Sequence, residues 1–260
     1  MSSRNTFTRR DFLKVGSIVG SGLAIGFHFP FGNKLLGAQE TSFKPNTFIN
    51  ILPDDRILIS VAKAEMGQGV WTSLPMLIAE EMEADWTSIE IMQSSDSSFI
   101  GTGGSSSISR YGWKKMREAG AVAKQMLIEA ASMKWKVSPV ECEAEDSMIY
   151  HRPSGKKVSF GSVSDLASKL KVPKKVNLKD PKNFSILGKD MLRADTVVKI
   201  NGTASYAMDT ELEGMVYAMV ERPSSFGATY VSSNAEHVKQ QPEILDVFVT
   251  PRGVAIVGKN

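Results

Sequence analysis

The chain has 260 residues, 42% of them hydrophobic, enough for one or two cored domains and too apolar for a disordered protein. Its 31 Lys and Arg against 28 Asp and Glu leave a net charge of +3, which gives no basis for nucleic-acid binding. The single cysteine, Cys142, excludes an internal disulfide, and no Cys or His pair has the spacing of a structural zinc or iron–sulfur site.

Residues 1–38 read as a twin-arginine signal peptide: Arg9 and Arg10 precede Phe12 and Leu13, and a weakly apolar run follows to Phe27. That run is shorter than the ~20 residues of a membrane span and is broken by glycine and serine. Cleavage after Ala38 and retention of the leader as a membrane attachment both remain open. The twin-arginine route carries folded proteins to the periplasm, which suits a chain that takes up a bulky cofactor first.

Thr47 to Leu52 and Ile57 to Val61 are apolar runs around the turn-forming Pro53-Asp54-Asp55-Arg56, so a hairpin is expected. Its second strand runs into Glu65-Met66-Gly67-Gln68-Gly69-Val70. The two glycines allow left-handed dihedrals and close approach of backbone amides to a ligand, while Gln68 offers both donor and acceptor. A helix is expected next, with Thr72 or Ser73 as its cap, Pro75 in its first turn, and Leu74, Leu77, Ile78 and Met82 on one apolar face. Glu80 and Glu81 belong to its solvated side. From these residues alone, an ordinary strand-to-helix turn explains the loop equally well.

A second segment, Gly101 to Arg110, gathers Thr102, Gly103, Gly104, Ser105, Ser106, Ser107 and Ser109 ahead of a helix that begins near Tyr111 or Trp113. Hydroxyls, glycine amides and a helix N-terminus together suit phosphate oxygens. Arg110, Lys114, Lys115 and Arg117 oppose the helix dipole, a cost that an anionic ligand would offset. A flexible Gly/Ser linker with a solvated basic turn is the alternative. Ala119, Gly120 and Ala123 form a narrow face, so another backbone is expected to pack closely there.

Glu65 to Val70 with Leu74-Pro75-Met76, Thr102 to Ser105, and Trp113 leading to Arg117-Glu118-Ala119-Gly120-Ala121 together resemble the molybdopterin-binding large subunit of the xanthine dehydrogenase and aldehyde oxidase family. The likeness is greatest to the branch of isoquinoline 1-oxidoreductase beta subunits, in which a twin-arginine leader is usual. It implies that Met66, Gly67, Gln68, Gly69, Val70 and Thr72 touch the pterin. Thr102, Gly103, Gly104, Ser105, Ser106, Ser107 and Ser109 would hold pterin and phosphate groups of molybdopterin cytosine dinucleotide. In the family no side chain ligates the molybdenum, the general base is a later glutamate, and electrons leave through a separate small [2Fe–2S] subunit. No residue of this chain is assigned to catalysis or to metal. The implied activity is hydroxylation of N-heterocycles or aldehydes with water as the oxygen source. A non-catalytic exported binding protein, or a remnant keeping the fold without cofactor, is the alternative.

Further on, Ser147 to Tyr150 and Lys157 to Phe160 are expected to form a second hairpin, followed by a short helix from Val163 to Leu170. Cys142 reads as a small buried side chain after the capping box Ser138 to Glu141, and the three histidines as packing or surface residues. The Lys-rich stretch 171–185, with Pro173 and Pro181, reads as a solvated linker. Residues 199–209 and 214–224 resemble the alpha/beta hammerhead domain of the same family, with Met215 to Val220 as a buried strand, Asn234 to Gln240 as a helix, and strands at 247–250 and 254–257. The expected class is α+β: a molybdopterin-binding α/β segment over residues 45–170, then an incomplete hammerhead domain over 186–260. Family members are much longer, so partners would include the missing C-terminal domains or a second chain supplying them, the [2Fe–2S] subunit and the export machinery, and no nucleic acid.

Overall fold

The computed structural model describes residues 22–27, 47–93 and 112–259. It divides after Ile200 into two compact units. The first is built on a four-stranded sheet in the order β1 (Leu23–Phe27), β2 (Thr47–Ile51), β3 (Ile57–Val61), β4 (Ile89–Gln93). The expected hairpin is β2 and β3, antiparallel, closed by Asp55 at φ 69°. Every residue of β3 is buried, as its run of Ile, Leu and Val requires of a strand covered on both faces. β4 lies parallel to β3, which needs a crossover, and the helix α1 (Val70–Met82) supplies it.

β1 was not anticipated. Residues 23–27, inside the stretch read as a leader, pair antiparallel with β2 over five positions, and Leu23 and Ile25 join the main core.

Helix α2 (Trp113–Trp135) packs on α1 through the small face seen in the sequence: Ala119, Gly120 and Ala123 are buried. A Cβ at Gly120 would stand 2.3 Å from the carbonyl oxygen of Ile78 and 2.9 Å from Cβ of Glu81, so the close backbone approach is real. Since a helix backbone cannot swing aside as a side chain can, Gly120→Val is expected to destabilise this unit by about 3 kcal/mol, the upper end of overpacking costs. A urea midpoint equal to wild type would contradict it.

Glu80 and Glu81, expected on a solvated face, are fully buried. The reason is a segment 98 and more residues away. Glu80 accepts from the amides of Ser185, Ile186 and Leu187 and from Lys179 Nζ at 2.6 Å. Glu81 pairs with Arg117 Nε at 2.6 Å and accepts from the Lys179 amide. The stretch read as a solvated linker is therefore strapped onto α1 by its own backbone, and it lies within the first unit. Burial alone would raise the Glu80 pKa, but Lys179 and the three amides outweigh it and hold the carboxyl at about 2.

A small second sheet in the order β5 (Glu143–Glu145), β6 (Met148–His151), β7 (Lys156–Ser159) contains the other expected hairpin, with Gly155 at φ 67°; β5 was missed. Helix α3 (Phe160–Ser168) follows, capped by the Ser159 hydroxyl, and the short α4 (Thr196–Ile200) ends the unit. Cys142 is buried as expected, and burial with the Glu141 charge nearby pushes its thiol pKa up.

The second unit, 201–260, holds a sheet in the order β8 (Tyr217–Glu221), β10 (Gly253–Gly258), β9 (Ile244–Thr250), with α5 (Ala235–Lys239) between β8 and β9 in the chain. The strand expected to be buried, β8, is an edge strand exposed along its whole length, with Met219 at 76% exposure. Its apolar residues have no cover among the described residues.

Candidate functional site

Because β3 and β4 are parallel neighbours with Val61 opposite Gln93, the chain leaves both strands at the same end of the sheet. The segment after β3 is the Glu65 to Gly69 loop; the segment after β4 leads to Gly101 to Arg110. Ligands of sheets with parallel strands sit outside the carboxyl ends of those strands, at the crevice their connections form. Two side chains tie the loop to this end. Gln93 Nε2 donates to the carbonyl of Val61 at 2.8 Å, and Trp71 Nε1 donates to Gln93 Oε1 at 3.1 Å.

Thr102, Gly103, Gly104, Ser105, Ser106, Ser107 and Ser109 lie outside the described residues, as does Arg110. The first loop is described in full. Gly67 and Gly69 have φ 105° and 84°, which a Cβ would strain, and a Cβ at either would meet no atom within 4 Å. The glycines answer to backbone geometry, and the space beside them is open. Met66 and Gln68 are exposed, Met66 at 64%. Gln68 folds onto its own loop: its Oε1 accepts from the Met66 amide at 2.7 Å and its Nε2 donates to the Ala64 carbonyl at 2.9 Å.

The amides expected to face a ligand are occupied. Glu65 accepts from the amides of Gly67 (2.8 Å), Gly69 (3.1 Å) and Trp71 (3.1 Å), so a carboxylate of the chain itself fills the N-terminus of α1. This also corrects the helix start. α1 begins at Val70 with Gly69 as its N-cap, Thr72 and Ser73 lie within its first turn, and Pro75 stands inside it. Partial burial raises the Glu65 pKa, but the amides of Trp71, Gly69 and Gly67 and the charge of Arg193 together bring it below the usual carboxylate value.

Two expected contacts point elsewhere. Val70 is fully buried in the core, and the buried Thr72 hydroxyl accepts from the Ala194 amide at 2.9 Å, so both serve the fold. Arg117 is likewise engaged without an anionic ligand: it pairs with Glu81, donates to the Lys179 carbonyl, and lies 5.5 Å from the Trp113 ring centroid and 5.1 Å from that of Phe184. Its cost at the helix N-terminus is met inside the protein.

Sequence reasoning missed Arg193, Asp195 and Gln93. Arg193 Nη1 donates to the Gly67 carbonyl and Nη2 to Glu65 Oε1, each at 3.0 Å, and Asp195 takes Nε and Nη2 at 3.2 Å. A separation of 126 residues leaves no local signal for the Gly67 contact. Glu65 is different, since an acid four residues ahead of a helix cap is a visible pattern. Among the described residues no group of three or more His, Cys, Asp or Glu could hold a metal ion.

Residues 5–222 match the family model of the molybdopterin cofactor-binding domain. The chain belongs to that family. Isoquinoline 1-oxidoreductase subunit beta of Brevundimonas diminuta is 27% identical over 97% of this chain and 38% of its own length. A membrane-bound aldehyde dehydrogenase of Gluconacetobacter polyoxogenes, whose name carries pyrroloquinoline-quinone, is 32% identical over 84% of this chain and 30% of its own. Among solved structures, the CO dehydrogenase of Oligotropha carboxidovorans is 18% identical, with a TM-score of 0.40 over 52% of this chain and 18% of that one. The chain thus spans about a third of the length of the curated relatives it matches. Its resemblance to the xanthine dehydrogenase group, drawn from the residues of the two loops, agrees with this family.

Proposed function

We propose that the chain is the N-terminal part of the molybdenum cofactor-binding large subunit of an exported molybdenum hydroxylase. It would act on N-heterocycles or aldehydes with water as the oxygen source and pass electrons to a small [2Fe–2S] subunit. The supporting observation is topological: the Met66 to Gly69 loop and the Thr102 to Ser109 segment follow adjacent parallel strands that end together at Val61 and Gln93. The loop leaves room for a flat pterin, because the space beside Gly67 and Gly69 is open and Met66 and Gln68 are exposed residues next to it, the Gln68 carboxamide holding the Met66 amide and the Ala64 carbonyl. When bound, the cofactor supplies the two-electron redox centre. This chain's residues bind and orient it: Gln68 through its carboxamide, Met66 by apolar contact, and Thr102 to Ser109 through hydroxyls and amides around the phosphates of the cytosine dinucleotide form. Residues 1–38 are the export leader of this proposal, and the hammerhead resemblance is carried by the second unit, 201–260, since residues 186–200 belong to the first.

One observation favours the rival, a remnant or binding protein without cofactor: the loop's own amides are satisfied by Glu65. A chimera separates the two. With residues 45–200 replacing the matching part of the Brevundimonas subunit, the folded protein from a molybdenum-replete host is expected to hold molybdenum and release cytidine monophosphate on acid hydrolysis. Gly67→Val, which puts bulk into the open space and costs about 1 kcal/mol or more of backbone strain, is expected to lower both together. A folded chimera free of molybdenum would favour the remnant.

A further inference from the structure

The Glu65 to Gly69 loop is held from two sides by charge. On one side the Glu65 carboxylate gathers the amides of Gly67, Gly69 and Trp71. On the other the Arg193 guanidinium bridges the Gly67 carbonyl and Glu65 Oε1. Arg193 is itself oriented by Asp195, which is buried and also pairs with Lys199. Two carboxylates and two cations alternate along this chain of contacts, so none is left unbalanced. The same strap pins the next turn, because the Ala194 amide donates to the Thr72 hydroxyl. A loop with two glycines at positive φ would otherwise lose much entropy on ordering.

We propose that Glu65 and Arg193 are positioning residues: they set the Gly67 to Gly69 loop before any ligand arrives, so that a ligand meets the exposed face of the loop at Met66 and Gln68, the latter already braced on the loop backbone, and not the amides that Glu65 holds. The inference rests on the loop being a cofactor contact, and it changes what that contact consists of. Arginine is needed because its planar fork donates in two directions at once, to a carbonyl and to a carboxylate; an ammonium at the end of a flexible stem does not reproduce this geometry.

The test uses the purified 260-residue chain and needs no cofactor. Backbone hydrogen exchange of residues 66–71 is followed in wild type, Arg193→Met, Arg193→Lys and Glu65→Gln, with urea unfolding as the control. The Gln68 carboxamide is followed by 15N-glutamine labelling. In Arg193→Met the loop amides are expected to exchange on the order of ten-fold faster, as loss of a charge-assisted hydrogen bond implies, with other peptides unchanged. The Gln68 resonances should shift with them. Arg193→Lys should fall between, and Glu65→Gln should free the Trp71 amide most, because a glutamine oxygen at the Oε1 place still accepts from Gly67, Gly69 and Arg193 while its NH2 meets the Trp71 N–H. Wild-type exchange at 66–71 in both Arg193→Lys and Glu65→Gln would overturn the proposal, as would acceleration spread evenly through the first unit. Molybdenum content of the chimera tests the cofactor contact separately, so failure of one leaves the other standing.

Discussion

Replacing Glu80 by alanine is expected to destabilise the first unit by roughly 3–5 kcal/mol, the range for removing one partner of a buried ion pair. The carboxylate is fully buried and accepts from Lys179 Nζ and from the amides of Ser185, Ile186 and Leu187. Without it, the amides of Ser185, Ile186 and Leu187 lose their acceptor and Lys179 keeps only Glu83 as a carboxylate partner, so residues 185–187 come away from α1 while Glu81 and Arg117 still hold the backbone of Lys179. Glu80→Gln keeps the volume but loses the charge and turns donors toward donors, so it should recover little. The same site predicts acid sensitivity. Its folded pKa, about 2, lies below the ordinary glutamate value of 4.5, so its contribution is complete above pH 4.5 and is lost as pH falls toward 2. The shift corresponds to roughly 3 kcal/mol. Urea midpoints between pH 7 and 2 should therefore drop more steeply in wild type than in Glu80→Gln. Parallel pH profiles would show that Glu80 is not the group responsible.

Glu80 also marks the boundary of what local pattern can reveal. The β2–β3 hairpin, the apolar face of α1 and the small-residue face of α2 were legible, because each is dictated by neighbours within a few residues. The burial of Glu80 and Glu81 was not, because two acids on a helix look solvated until a segment about 100 residues away brings the amides that satisfy them. The loop shows the same division. Its glycines announced unusual backbone and Gln68 an exposed polar group, both of which the structure has. The expectation that its amides await a ligand failed, because Glu65 sits inside the motif and takes them. Arg193 could be found only in three dimensions. In the second unit, β8 reads as a core strand from its composition, yet the cover that composition calls for is not among the described residues.

Residues 39–260 expressed alone are expected to form a weakened, self-associating protein without bound molybdenum cofactor or turnover of N-heterocycles or aldehydes. The deletion removes β1, hence one of the two antiparallel partners of β2 and two core side chains, Leu23 at 1% exposure and Ile25 at 5%. At about 1.5–3 kcal/mol for each buried aliphatic side chain, the loss is roughly 3–6 kcal/mol against a total stability on the order of 5–15. It also bares Ile49 and Ile51, now fully buried, beside a row of unpaired backbone groups on β2, the arrangement most prone to pair with another strand. Export with cleavage after Ala38 would create the same edge, leaving β3 as the remaining partner of β2. Light scattering at several concentrations, with urea unfolding of the full chain and of 39–260 side by side, reads both effects. A monomeric 39–260 with the midpoint of the full chain would mean that β1 contributes nothing to the fold. Restoring residues 22–38 should reverse the association if the strand itself is responsible, whereas Leu23→Asp with Ile25→Asp in the full chain should reproduce it, since neither carboxylate finds a partner in that core.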